Sequence, residues 1–254
     1  MHEAQEKYPL PEEERQALVR AAIASEGLIL AAGLVVAIVL SVAAGGWAHA
    51  FPFGWVADIA ATMRPHWSMV ALPIAMIALL EGMDTLGWRF SESYRRAVMD
   101  TRQGVTGEMP RMDMGSIVAC MAAAGICEEL LFRYGLLGVA VLVLQMVLPH
   151  AIAAIVAVIL VSVAFAAVHV QYRSAWTLAF VTGISCLLGG VYLATGSLLS
   201  LMFAHTVYNI ANLAIERRKM VREPNYFGGK VPVSALADFA KNTANVDRTD
   251  EGMI

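Results

Sequence analysis

The stretch CEELLFR, residues 127–133, places three charged side chains inside a long run of apolar residues. A charged side chain at the centre of a bilayer costs about 2.5 to 3.5 kcal/mol on insertion scales, so membrane helices rarely carry one without a function. Two adjacent glutamates also repel each other in a low dielectric. The stretch therefore indicates a membrane protein with a polar site in its interior.

The composition of the whole chain supports this interpretation. Of its 254 residues, 58% are hydrophobic and 15% are charged, and the mean hydropathy is +0.62. Because the apolar residues form blocks, we predict an all-α fold, a polytopic transmembrane helical bundle with about six to eight membrane segments. A net charge of -3 offers no basic surface for nucleic acid. Cys120, Cys127 and Cys186 lie in apolar segments and predict no disulfide framework.

The first part of the chain divides into a polar segment and two accessory spans. Residues 1–26 predict a cytoplasmic segment with a short amphipathic helix, too long and polar for the start of a signal peptide. Residues 27–113 contain spans at Leu28–Gly46 and Trp67–Leu80. The arginine-rich segment 81–113 that follows predicts a cytoplasmic loop by the positive-inside rule.

Residues 114–215 form the predicted membrane core, and 216–254 form a polar tail. Five further crossings would leave the basic start of this tail outside the cell, against the positive-inside rule. The short segment 134–148 could therefore extend the preceding helix or be re-entrant, and both remain open. The apolar segments of the core are 115–133, 134–148, 151–169, 175–193 and 198–215.

Helical spacing separates the two glutamates of the opening stretch. Residues four apart share a helix face, so Glu129 can pair with Arg133, while Glu128 lacks a partner in its own helix. A carboxylate in an apolar site is suited to act as a general base. The alternative is a purely structural ion cluster that joins helices.

Two more pairs with the same spacing follow on later apolar segments. Phe165 and His169 are one helical turn apart, and so are His205 and Asn209. Taken separately, His169 could be an interfacial residue, and His205 with Asn209 could bond neighbouring helices. Together with the glutamates they supply a base, water-positioning groups and donors for an oxyanion, which is what amide hydrolysis by activated water requires.

The three motifs EExxxR, FxxxH and HxxxN, in this order on successive apolar segments, resemble those of the CPBP family of intramembrane glutamic endopeptidases. This family includes type II CAAX-prenyl proteases and bacteriocin-processing or immunity proteins. The resemblance covers residues 114–215. It departs from the family where Tyr134 stands between the arginine and Gly135, since the family commonly has glycine directly after the arginine.

The resemblance implies a role for each matching residue. Glu128 would be the general base that activates water, and His169 would help to orient or activate that water. His205 and Asn209 would stabilise the tetrahedral oxyanion. The supporting residues would be Glu129, Arg133 and Phe165. No metal and no other cofactor is expected.

The function expected on these grounds is that of an endopeptidase that cleaves the C-terminal tail or leader of a membrane-associated protein or peptide. Expected partners are a substrate entering from the membrane or its surface, with or without a lipid modification, and the lipid bilayer. Nucleic acid is not expected as a partner. We expect the protein in the bacterial cytoplasmic (inner) membrane.

Three alternatives remain open. A non-catalytic peptide-binding or immunity protein could use the same cavity. A metal-dependent membrane protease could use the two histidines and a glutamate, although HExxH is absent. A cysteine protease could use Cys127 with His169, but an apolar span does not favour a reactive thiolate.

Overall fold

The computed structural model describes residues 10–104, 107–169, 174–223 and 226–227, and within them the fold is all-α, without strands. Two π-helical segments, at Ala50–Gly54 and Leu130–Leu136, and a 3₁₀ turn at Met109–Arg111 complete the elements. The helices are α1 Glu12–His49, α2 Trp55–Thr62, α3 Ser68–Phe90, α4 Glu92–Arg102, α5 Met114–Glu129, α6 Leu137–Leu144, α7 His150–Ala167, α8 Ala175–Thr195 and α9 Leu198–Arg222. The predicted fold class is confirmed.

Five helices of the described chain are long and apolar enough to cross a membrane, and a sixth segment is a candidate. By length and composition, α1, α3, α7, α8 and α9 each qualify as a span. The segment from Met114 to Leu144 is a sixth, because α5, the π segment and α6 follow one another without a break. The expected segment 134–148 is thus an extension of the preceding helix. With this segment counted as a sixth crossing, the end of α9 would lie on the same side as the N-terminal end of α1, which agrees with the positive-inside rule.

The N-terminal part differs from the expectation of a short helix followed by a separate span. A single helix, α1, runs through position 26, because no proline interrupts the chain before Gly46, whose φ of 77° breaks the helix. The uninterrupted part of α1 before Gly46 is about 51 Å long at about 1.5 Å per residue, well beyond a hydrocarbon core of about 30 Å. The polar end of α1 therefore projects from the membrane.

The expected loop 81–113 is also largely helical. Helix α3 continues beyond Leu80 to Phe90, and Ser91 caps α4 by accepting a hydrogen bond from the backbone N–H of Tyr94, 3.1 Å away. Hydropathy ended the second span at Leu80 because the chain turns polar at Glu81, whereas in the fold Lys219 of α9 lies 4.0 Å from Glu81 and 2.8 Å from Asp84.

Close packing of α5 against α9 brings the charged stretch to the next motif helix. Asp113 begins α5 by accepting a hydrogen bond from Ser116 N at 3.0 Å. A Cβ at Gly125 would lie 2.3 Å from Thr206 Oγ1 and 2.9 Å from Thr206 N, so only glycine permits this approach. The crossing lies one turn before Glu129 on α5 and next to His205 on α9.

Candidate active site

The pair Glu129 and Arg133 is fully buried, with exposures of 0% and 1%. Arg133 Nε lies 3.1 Å from Glu129 Oε2, as the spacing predicted. The two groups are not aligned for a hydrogen bond, so the contact is an ion pair. The guanidinium also lies over the Phe165 ring, 4.8 Å from its centroid. Removal of either charge would leave the other buried and uncompensated.

His205 of α9 connects the two glutamates. Its Nδ1 donates a hydrogen bond to Glu129 Oε1 at 2.8 Å, and its Nε2 lies 3.8 Å from Glu128 Oε2. The hydrogen bond sets the orientation of the ring, since an ionised carboxylate can only accept. Nε2 is therefore presented to Glu128.

His169, at the end of α7, approaches Glu128 from the other side. Its Nδ1 donates to the backbone carbonyl of Phe165 at 2.8 Å, which leaves Nε2 as an acceptor, 3.9 Å from Glu128 Oε1. That separation is too long for a direct hydrogen bond, but a water placed about 2.8 Å from each atom can donate to both.

Phe165 forms an apolar wall of this group. Its ring lies 4.5 Å from the His169 ring and 6.3 Å from the His205 ring, measured between centroids. Phe132 packs edge-on against its other side at 4.9 Å.

Glu128, Phe165, His169, His205 and Asn209 all line one cavity of about 420 Å³. A single continuous helix, Met114–Leu144, does not prevent Glu128 from reaching the depth of His169. We call the following residues the inner site: Glu128, Glu129, Arg133, His169, His205 and Asn209.

The cavity extends from the inner site towards α4 and the C-terminal end of α9. There Lys219 lies 2.8 Å from Asp84 and 3.0 Å from Glu216, and Arg102 lies 3.4 Å from Glu216 and 3.3 Å from Glu223. We call these five residues the outer ion network. The last turns of α9 carry the basic residues Lys219 and Arg222, so the positive-inside rule predicts that this end of the bundle faces the cytoplasm.

An aromatic side chain closes part of this outer end. Tyr226 lines the cavity, lies beneath the Arg102 guanidinium at 4.0 Å and donates a hydrogen bond to Glu216 at 2.7 Å. Burial and the neighbouring Glu216 charge raise the pKa of the Tyr226 hydroxyl above its ordinary value. The hydroxyl therefore stays protonated and remains a donor at neutral pH.

Sequence reasoning missed the contribution of the N-terminal helices to the cavity. Glu26 of α1 lines it, as do Glu81 and Asp84 of α3. None of these residues belongs to a spaced motif, and only the placement of a carboxylate beside an apolar run could have drawn attention to Glu26. The expected polar tail, 216–254, lies outside the described residues from 228 onward.

The alternative chemistries fit the described geometry less well. Cys127 is buried but does not line the cavity, although Cys120 does. Within the described ranges, no group of three or more His, Cys, Asp or Glu side chains is arranged to hold a metal ion.

A comparison with known protein families shows which proteins this part of the chain resembles. Residues 110–211 match the family model described as type II CAAX prenyl endopeptidase, Rce1-like. No curated protein and no solved structure matches the chain. The matched segment contains all three motifs of the inner site and excludes α1 to α4. Residues 110–211 are therefore similar to the Rce1-like family of type II CAAX prenyl endopeptidases, and the long apolar helices indicate an integral membrane protein.

Proposed function

We propose that this protein hydrolyses a peptide bond with a water molecule activated by Glu128. One observation carries the proposal: Glu128 lies between two imidazoles, 3.9 Å from His169 Nε2 and 3.8 Å from His205 Nε2, in a cavity large enough for a peptide segment. Glu129, by contrast, is held by Arg133. Glu128 is thus the carboxylate available to take a proton.

The attack begins with a water held between Glu128 and His169. The carboxylate takes one proton of this water while its oxygen forms a bond to the carbonyl carbon of the peptide. The imidazole of His169 accepts a hydrogen bond from the other O–H of the water, which stays on the attacking oxygen, and this hydrogen bond orients the lone pair of that oxygen. Collapse of the tetrahedral intermediate breaks the C–N bond, and the proton held by Glu128 passes to the leaving amine.

The developing oxyanion needs donors, and His205 with Asn209 supply them in this scheme. When His205 is protonated on both nitrogens, Nδ1 donates to Glu129 and Nε2 presents its hydrogen to the cavity. The Asn209 amide, one turn further along α9, adds a second donor to the same wall. Preorganised donors of this kind contribute about 2.7 to 4 kcal/mol each to the stabilisation of such intermediates.

The substrate class follows from the position of the cavity. Because the cavity runs to the cytoplasmic end of the bundle, a suitable substrate is the C-terminal tail or leader of a membrane-associated protein or peptide. A lipid on that segment would remain in the bilayer while the peptide enters. The proposed location is the cytoplasmic membrane of a bacterium.

The test compares the termini of membrane proteins from cells that carry the wild type or the Glu128→Ala variant. We expect one or more cleaved termini to disappear with the variant while the protein still accumulates in the membrane. Cys127→Ser and exhaustive chelation serve as controls, and both should leave cleavage intact. If all the cleaved termini of wild-type cells are also present in Glu128→Ala cells, the proposal is overturned and a non-catalytic peptide-binding protein is favoured.

A further inference from the structure

Glu26 of α1 lines the same cavity as the inner site, although it lies far outside the matched segment 110–211. It immediately precedes the most apolar part of α1, so its carboxylate lies where the helix enters the membrane. A carboxylate at this depth is costly unless it has a partner or a function.

The contacts of Glu26 leave one of its carboxylate oxygens available to bind another group. Its Oε2 is buried, and none of the described residues donates a hydrogen bond to it. The charge of Glu26 interacts with those of His205 and Glu128 of the inner site. Ala124, one turn before Glu128 on the facing helix α5, lines the cavity beside them. A group bound to Glu26 would thus lie close to the reacting peptide bond.

The cations of the cavity are already engaged elsewhere. Lys219 lies within 3.0 Å of both Asp84 and Glu216, and Arg102 pairs with Glu216 and Glu223. Arg133 lies behind the lining and pairs with Glu129. In the described part of the lining, carboxylates outnumber these cations, and Glu26 is left without one.

We propose that Glu26 binds a basic side chain of the peptide substrate, a lysine or arginine next to the scissile bond. This inference rests on the proposed function and adds a substrate class to it: a peptide that carries a cation where it enters the inner site. The cation would satisfy Oε2 and reduce the repulsion between Glu26 and the Glu128 carboxylate. Helix α1 would then be part of the specificity pocket.

A pair of prenylated peptides tests the specificity. One carries lysine beside the scissile bond, and the other carries norleucine, which keeps the alkyl chain and lacks the charge. We expect the wild type to prefer the lysine peptide about tenfold or more in kcat/KM, the effect of a hydrogen bond between charged groups. Glu26→Gln should lose this preference. Glu81→Gln, at the outer end of the same cavity, is the matched control and should keep it.

A binding measurement separates this inference from the proposed function, since it needs no cleavage. Hexylammonium should raise the thermal midpoint of the purified wild type saturably, whereas hexanol, of the same length, should not. Glu26→Gln should lose the response to hexylammonium, and Glu128→Ala should keep it. An equal response of the wild type and Glu26→Gln, or an unchanged lysine preference in Glu26→Gln, would overturn the role of Glu26. If the wild type cleaves neither peptide, the proposed function fails, and the hexylammonium response alone decides the role of Glu26.

Discussion

The inner site and the outer ion network both contribute lining residues to the same cavity and have similar inventories of charge, yet the partners of their carboxylates differ. In the outer ion network Lys219 and Arg102 together contact Asp84, Glu216 and Glu223. The inner site contains one guanidinium, that of Arg133, and it forms an ion pair with Glu129. Among the described residues, Glu128 has only imidazoles within ion-pair distance. A carboxylate balanced by a fixed cation supports structure, whereas one facing imidazoles can exchange protons.

The largest effect on stability should follow from loss of the buried cation of the inner site. Arg133→Met leaves Glu129 charged, fully buried and without its cation. Removal of one partner from a buried pair costs about 3 to 5 kcal/mol, so we expect a strong decrease in the free energy of unfolding. Denaturant titration in detergent measures it. The double variant Arg133→Met with Glu129→Leu should recover part of the loss, and an unaffected single variant would contradict the burial argument.

The next effect concerns the packing that brings α5 to α9. In Gly125→Ala the new methyl would meet both the side chain and the backbone N of Thr206. Overpacking of this kind costs about 1 to 3 kcal/mol, and it should also move the glutamates away from His205. We therefore expect a lower thermal midpoint together with a lower rate of cleavage. Gly183→Ala is the control, because its methyl would meet nothing within 4 Å. Equal behaviour of the two variants would contradict the close crossing.

A smaller, pH-dependent effect is expected at the start of α5. Hydrogen bonds from Ser116, with the nearby Arg15 guanidinium, hold the pKa of Asp113 below its usual range. A carboxyl group whose pKa is lowered by folding stabilises the protein at pH values above its ordinary pKa of about 3.9. This stabilisation is lost as the pH falls through the pKa of the folded state. The thermal midpoint of the wild type should thus exceed that of Asp113→Asn at pH 6 to 7, with the difference shrinking in acid. A difference that grows in acid would contradict the sign.

The smallest effect should come from the outer ion network. Lys219 is partly exposed, with 23% of its side chain accessible. Solvent screens the ion pairs of Lys219, so we expect Lys219→Met to lower the free energy of unfolding by about 1 kcal/mol or less. Denaturant titration of Lys219→Met in parallel with Arg133→Met compares the outer ion network with the inner site directly. A loss as large as that of Arg133→Met would mean that the clusters do not differ in the way proposed here.

The inner site could be predicted from the sequence because its geometry depends on helical spacing. Residues four apart fall on one face, so the contacts of Glu129 with Arg133 and of Phe165 with His169 followed from the motifs. The 2.8 Å contact between His205 and Glu129 did not, since it depends on how α5 and α9 cross at Gly125. The roles assigned to these residues stay predictions.

The N-terminal half was harder to predict because hydropathy marks where residues are apolar and not where a helix ends. Helix α3 continues past Glu81, since tertiary contacts from α9 satisfy the charges in its last turns. Helix α1 likewise joins a polar and an apolar stretch that composition separates. The place of Glu26 in the cavity depends on this packing and on no local pattern.

The most direct test of the central claim compares Glu128→Gln with Glu216→Gln in purified, liposome-reconstituted protein acting on a prenylated peptide. Both substitutions remove a carboxylate from the same cavity, one from the inner site and one from the outer ion network. We predict that Glu128→Gln lowers the cleavage rate by about 10² to 10⁴-fold or more with an unchanged thermal midpoint, whereas Glu216→Gln stays near the wild-type rate. Cleavage by Glu128→Gln at the wild-type rate would contradict the claim that Glu128 activates the water.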